Sequence, residues 1–153
     1  MPGAYAHLNL VSVIQTLFDD LDEMPVSAKP ALLDFTGYRD LGAVSPDYPY
    51  LAITDGGSAV WADNMHYIQT GQMIRAGTRI VADMPGAPQQ KCLAWLLGYA
   101  AHVVMDVTIH PVVEMKVGPY DDNKMEHRIC EMHQDAFIFD RLNLGGIGLA
   151  EYL

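Results

Sequence analysis

Apolar residues along this chain recur three and four positions apart, the spacing of one helix face. From Tyr5 to about Leu21 they fall at Leu8, Leu10, Val11, Val13, Ile14, Leu17, Phe18 and Leu21, which predicts a first helix with His7 near its start. Pro25 and the potential cap Ser27 introduce a second helix through Ala31, Leu32, Leu33, Phe35 and Tyr38, fading at Gly42. In Ser45-Pro46-Asp47-Tyr48-Pro49-Tyr50 the two prolines disfavour a regular helix and place Asp47 on a stiff loop. The turn Asp55-Gly56-Gly57-Ser58 leads into a long helix from Ala59 to about Met84, carrying Trp61, Asp63 and His66, and Pro85-Gly86-Ala87-Pro88 stops it. The next helix, Gln89 to about Val107, is apolar enough to be central, and His110 before Pro111 falls at its frayed or kinked end. A last helix runs from near Asp121-Asp122-Asn123 to about Leu142, ahead of a tail around Gly145-Gly146. With no period-two strand pattern, the expected fold is all-α, a compact multi-helix bundle.

The polar residues inside these apolar helices carry the chemistry. Asp106 lies between Val103-Val104-Met105 and Val107, and a buried carboxylate needs a cation. His102 and His110 stand one turn to either side of it, and His127 with Glu131 repeats the arrangement on another helix. Residues four apart share a helix face, so each pair can close on one ion, with the mixed nitrogen and oxygen donors that zinc accepts. Taken singly, a histidine on an apolar helix is more often a hydrogen-bonded core residue; the repetition is what points to metal.

The order of these elements resembles the bacterial zinc-dependent phospholipase C proteins and their relatives, the fungal and plant single-strand nucleases. The family's succession of an N-terminal His, a loop Asp, a helix His, a His-x-x-x-Asp followed by a further His, and a His-x-x-x-Glu is matched by His7, Asp47, His66, His102 with Asp106, His110, and His127 with Glu131, across residues 1 to about 140. The resemblance implies a helical bundle with a cluster of two or three Zn2+ ions between its helices. One ion would be held by Asp47, His66, His102 and Asp106, a second by His110, His127 and Glu131, and a third by His7, Asp106 and an N-terminal amino group exposed by removal of Met1. Asp106 would then bridge two ions. Eight side chains cannot complete three four-coordinate shells, so positions remain for water and substrate. Asp47 would be the catalytic base of phosphodiester hydrolysis, and Tyr48, with Tyr50, would line a headgroup pocket or pack the loop. Asp63, three residues before His66, is an alternative to Asp47 or an orienting group; Asp135 reads as supporting or exposed, and His133 as a surface residue.

Composition adjusts this picture. The formal charge of −10, from 9 Lys and Arg against 19 Asp and Glu, disfavours capture of a nucleic-acid backbone, although bound divalent ions would reverse the sign locally. The expected substrate is therefore a phospholipid or another phosphodiester. A single-strand nuclease and a non-catalytic helical domain stabilised by metal are the alternatives. At 153 residues one domain spanning 1–153 is expected, short for this family, as a fragment of a longer protein would be. No uninterrupted apolar run approaches the roughly 18 residues of a membrane span and no secretory pattern is visible, so the expectation is a cytoplasmic protein without a transmembrane segment. Cys92 and Cys130 read as core thiols, and Gly145-Gly146-Ile147-Gly148 lacks the strand and helix a phosphate loop requires.

Overall fold

The computed structural model describes residues 2–20, 24–52 and 57–142. Among them are seven α-helices, three short 3-10 turns and no strand. The helices are α1 (Ala4–Thr16), α2 (Lys29–Leu33), α3 (Thr36–Val44), α4 (Ser58–Tyr67), α5 (Thr70–Ala82), α6 (Gly86–Val117) and α7 (Lys124–Arg141). The all-α expectation holds. The Asp55-Gly56 half of the turn and the Gly145-Gly146 tail lie outside the described residues.

The segmentation differs from the sequence reading in several places, first in α1, which ends at Thr16 and gives way to a 3-10 turn at Phe18–Asp20. The second helix is divided into α2 and α3 at Asp34–Phe35 after a 3-10 turn at Val26–Ala28 that absorbs Ser27, so Ser27 caps nothing. The long helix from Ala59 is broken after Tyr67: Gln69 takes a left-handed conformation, φ 53°, that no helix interior tolerates. Pro111, by contrast, breaks nothing. Helix α6 continues through it for 32 residues, so His110 sits in regular helix rather than at a frayed end. The ring cannot donate to the carbonyl of Val107, but Val107 is 71% exposed, on a face open to solvent. Pro85 takes the N-cap position of α6 and Pro88 falls in its first turn, where a missing N–H costs nothing, so the expected stop occupies only residues 83–85.

Helix α6 is the axis of the fold and packs against α1, α2, α3, α5 and α7. On one side Val11, Ala43 and Ala101 form a buried cluster with Leu10 and Ile14; on another Val81, Leu96 and Tyr99 pack with Met65, Ile74 and Leu93. Among the described residues, α6 alone is long and apolar enough to cross a membrane, a property that counting uninterrupted apolar runs did not register. Here it carries buried His102 and Asp106 at mid-length and meets five other helices.

Two glycines set the distance between α3 and α6. A methyl group on Gly42 would lie 2.0 Å from the carbonyl oxygen of Trp95, and one on Gly98 would lie 2.0 Å from that of Arg39. The two backbones therefore touch, and the carbonyl of Ala43 reaches the imidazole of His102 at 2.7 Å. Nearby, the Trp95 indole N–H donates to Ser45 at 3.0 Å, and buried Tyr99 ties α6 to α4 by donating to the carbonyl of Met65 at 2.9 Å.

Helix α1 is anchored from the far end of the chain. Its N-cap is Gly3, which has no side chain to accept the free N–H groups of the first turn. Asp135 of α7 accepts them instead, from Tyr5 at 3.2 Å and Ala6 at 2.9 Å, placing a carboxylate at the positive end of the helix. A Cβ on Gly3 would fall 1.9 Å from Asp135 Oδ2, so only glycine permits this approach. Asp135 is thus buried and structural, not exposed.

Gly98→Ala forces α3 and α6 apart and should lower stability by roughly 1–3 kcal/mol, about 2–4 °C of melting temperature per kcal/mol in a chain of this size. Gly37→Ala, with nothing within 4 Å of the added methyl, should leave the melting temperature unchanged or slightly raised in the same thermal scan by circular dichroism. Asp135→Ala removes the cap of α1 and should cost about 1–2 kcal/mol in urea unfolding, with Asp135→Asn, which keeps one acceptor, losing less.

Candidate metal centre

Each predicted ligand arrives from a different point of the helical frame. His7 is one turn into α1, Asp47 stands just before the 3-10 turn Tyr48–Leu51, and His66 is in the last turn of α4. His102, Asp106 and His110 follow one face of α6, and His127 and Glu131 lie one turn apart on α7. All eight converge between the helices. His7, His102, Asp106, His127 and Glu131 are buried, and the side chains of Asp47 and His110 are about a quarter exposed, at 26% and 24%.

Their ligand atoms form three groups, each with all members within 4.8 Å of one another: His7, His102 and Asp106; Asp47, His66 and His102; and His110, His127 and Glu131. His102 thus faces two groups, where the resemblance had implied one. Asp106 Oδ1 lies 3.6 Å from His7 Nε2, while Oδ2 lies 3.5 Å from His102 Nε2 and 3.8 Å from His66 Nε2. Asp47 Oδ1 is 3.3 Å from His66 Nε2, and Glu131 Oε1 is 3.0 Å from His127 Nε2 and 3.8 Å from His110 Nε2. Donors at bonds of about 2.1 Å around a tetrahedral zinc ion stand about 3.4 Å apart, so these separations have the scale of one ion per group.

The hydrogen bonds fix which nitrogens are free. A carbonyl oxygen only accepts, so the Nδ1–H of His102 donates to Ala43 and that of His66 donates to Ala62, both at 2.7 Å. Each ring then presents its Nε2 lone pair to the centre, the arrangement by which backbone carbonyls orient metal-binding histidines. The two Nε2 atoms face each other at 2.9 Å with carboxylates beside them, and two facing lone pairs need a cation between or beside them. His7 stacks on His102, ring centroids 3.8 Å apart. The other buried atoms agree: both ring nitrogens of His7, Oδ1 of Asp47, Oδ1 of Asp106, Nε2 of His110 and Nδ1 of His127 have no hydrogen-bond partner. Buried polar atoms without partners are rare and costly, and the expected metal ligands account for most of them among the described residues.

Three of the four shifted groups among these eight side chains suit the same purpose, and His66 opposes it. Burial, and then the neighbouring His102, pushes His7 down to about 4, so it is neutral at neutral pH. Burial likewise lowers His110. Burial opposes ionisation of Asp106, but His102, His7 and His66 outweigh it and hold the carboxyl below its ordinary range. His66 is raised despite its burial, by Asp47 and the Ala62 carbonyl.

An open cavity of about 630 Å3 adjoins the centre at Glu131, with Tyr50, Tyr67, Tyr120, Lys124 and Arg128 in its wall. Tyr48 is not among the lining residues and is 49% exposed; Tyr50, two positions on, faces the cavity in its place. The Tyr50 hydroxyl donates to Asp63 at 2.7 Å, so Asp63 supports the cavity wall and does not replace Asp47. His133 is exposed, and Cys92 and Cys130 are half-buried free thiols. The residues that the sequence reading missed are Gly42, Gly98, Gly3, Lys124, Arg128 and Tyr120. The glycines and cations signal themselves only through partners distant in the chain, although Lys124, Arg128 and Glu131 do share a helical face by spacing.

Comparison with curated proteins and with solved structures gives no match. A family model described as zinc dependent phospholipase C matches residues 7–151, nearly the whole chain and all eight converging side chains. This chain belongs to the zinc-dependent phospholipase C family.

Proposed function

We propose that this chain is a phosphodiester hydrolase that works through a cluster of up to three zinc ions. The observation that carries the reading is the division of Asp106: Oδ1 lies beside His7 of one donor group and Oδ2 beside His66 of another, as suits a carboxylate bridging two ions. His7, His102 and Asp106 would hold one ion, Asp47 and His66 with His102 or Asp106 a second, and His110, His127 and Glu131 a third. Three donors per ion leave a fourth position open, which distinguishes a catalytic centre from a closed structural site.

Zinc, when bound, supplies an acidified water and a grip on the phosphoryl oxygens. The protein's own part is positional. Ala43 and Ala62 aim two imidazoles, Asp135 holds the start of α1 and with it His7, and the cavity beside Glu131 receives the group attached to the phosphorus. Asp47 is the base. Its Oδ1 has no hydrogen-bond donor, and its side chain is the more exposed of the two aspartates at the centre, so it takes the proton of the attacking water. The family points to a lipid phosphodiester. The tyrosines of the cavity wall favour a second reading, a single-strand nuclease that stacks bases on them, against which the chain's charge of −10 weighs.

The protein after purification should contain two or three zinc ions by mass spectrometry and hydrolyse a chromogenic phosphodiester and a phosphatidylcholine dispersion faster than single-stranded DNA. One zinc or fewer per chain removes the cluster, and metal without turnover of any of the three substrates leaves a structural role. Asp47→Asn should retain most of the zinc while reducing turnover by at least about 10²-fold, the lower end of what a general base contributes; unchanged turnover removes Asp47 from that role. Asp106→Ala should lose more than one zinc and leave the ion held by His110, His127 and Glu131, and loss of just one excludes bridging.

A further inference from the structure

We propose that the substrate carries a second anionic group on its headgroup, held by Lys124 and Arg128 in the cavity beside Glu131; the inference rests on the phospholipase reading above. A cavity of about 630 Å3 lies within the usual range for a small-molecule site of roughly 300–1,000 Å3. Lys124, Arg128 and Glu131 stand on one face of α7, so a row of two cations leads up to a carboxylate of the metal centre.

The charges in this wall are unequally committed. Of the acids, Asp63 already accepts the Tyr50 hydroxyl, and Glu131 Oε1 faces His127 and His110. Neither Lys124 nor Arg128 forms an ion pair with a described residue. They are like charges four apart on a helix, an arrangement that is unfavourable without an anion between them. The chain carries only 9 Lys and Arg, and two stand here without an acidic partner among the described residues.

A quaternary ammonium headgroup finds one of the cavity's three tyrosine faces already taken. Such a cation is held by open aromatic faces, and the face of Tyr120 is covered by the Lys124 ammonium, 5.7 Å from the ring centroid, while His127 packs against the ring edge-on. A phosphomonoester or carboxylate fits better: Lys124 and Arg128 supply charged donors, and the Tyr67 and Tyr120 hydroxyls stand in the same wall. An extended polyanion would meet the same two cations but also the repulsion of an acidic chain, which favours an anionic phospholipid over a nucleic acid.

The test is calorimetric binding of inositol 1,4-bisphosphate, phosphocholine and a short oligothymidylate to the zinc-loaded full chain, beside hydrolysis of a chromogenic phosphodiester. Both small probes offer one phosphomonoester to zinc and differ in the second group. The bisphosphate should bind about tenfold more tightly than phosphocholine. The double variant Lys124→Ala, Arg128→Ala should lose this preference without weakening phosphocholine, and Lys124→Arg should keep it. Both positions are exposed, so the variant should fold, as its circular dichroism will show. Equal affinities, a preference that survives the double variant, or tightest binding of the oligonucleotide would overturn the inference. Failure of the chromogenic hydrolysis with the binding preference intact overturns the catalytic reading alone.

Discussion

The contact between α3 and α6 governs the rest. Because Gly42 and Gly98 let the two backbones touch, the Ala43 carbonyl reaches His102 Nδ1 and fixes the ring's tautomer and direction together. From that one ring the centre unfolds geometrically. His7 stacks on its face, His66 meets its Nε2 at 2.9 Å, and Asp106 stands one helical turn further on. An added methyl group at either glycine would move the donor on which three other ligands depend. The stability of a helix pair and the aim of a metal ligand are here the same quantity.

The second constraint is electrostatic. A buried carboxylate and buried imidazoles without hydrogen-bond partners are unfavourable in an apolar interior, and they accumulate in this chain at one place. The cost is tolerable only if binding of cations is coupled to the folded state, since a ligand that binds the native form alone stabilises it. The negative charge of the chain acts in the same direction, because divalent ions at the centre offset part of a formal charge of −10.

Much of this was legible in the sequence, and what was not has a common physical cause. The pairs His102 with Asp106 and His127 with Glu131 were readable because a helix fixes the relation of residues four apart whatever surrounds it. His7, Asp47 and His66 were found by the order of the family's elements, since nothing local marks them. The glycine contacts and the cap that Asp135 gives α1 were invisible, because each joins segments far apart in the chain. Local rules also misled in both directions. Pro111 was expected to end a helix that it merely interrupts by one hydrogen bond on an exposed face, and Gln69, an ordinary residue by composition, breaks one. Tyr48 was the expected cavity residue, and the 3-10 turn at Tyr48–Leu51 brings Tyr50 to the cavity instead.

The distribution of ligands over the helices has a mechanical consequence. Only α6 and α7 supply pairs that are ordered by their own helix; His7, Asp47 and His66 are single donors whose positions depend on the packing of α1, the Pro46-Asp47 turn and α4. Two of the three groups are completed by such single donors, and the third joins α6 to α7. Every group therefore spans at least two elements, so an ion bound to any of them cross-links the bundle. The carbonyl of Met65, one residue before His66, accepts from Tyr99 on α6, and this makes even the last turn of α4 part of the same frame. A chain of this length has little core to spare for precision, and cross-linking by ions would let a small helical bundle hold the eight converging side chains to the tolerance that chemistry at a metal centre needs.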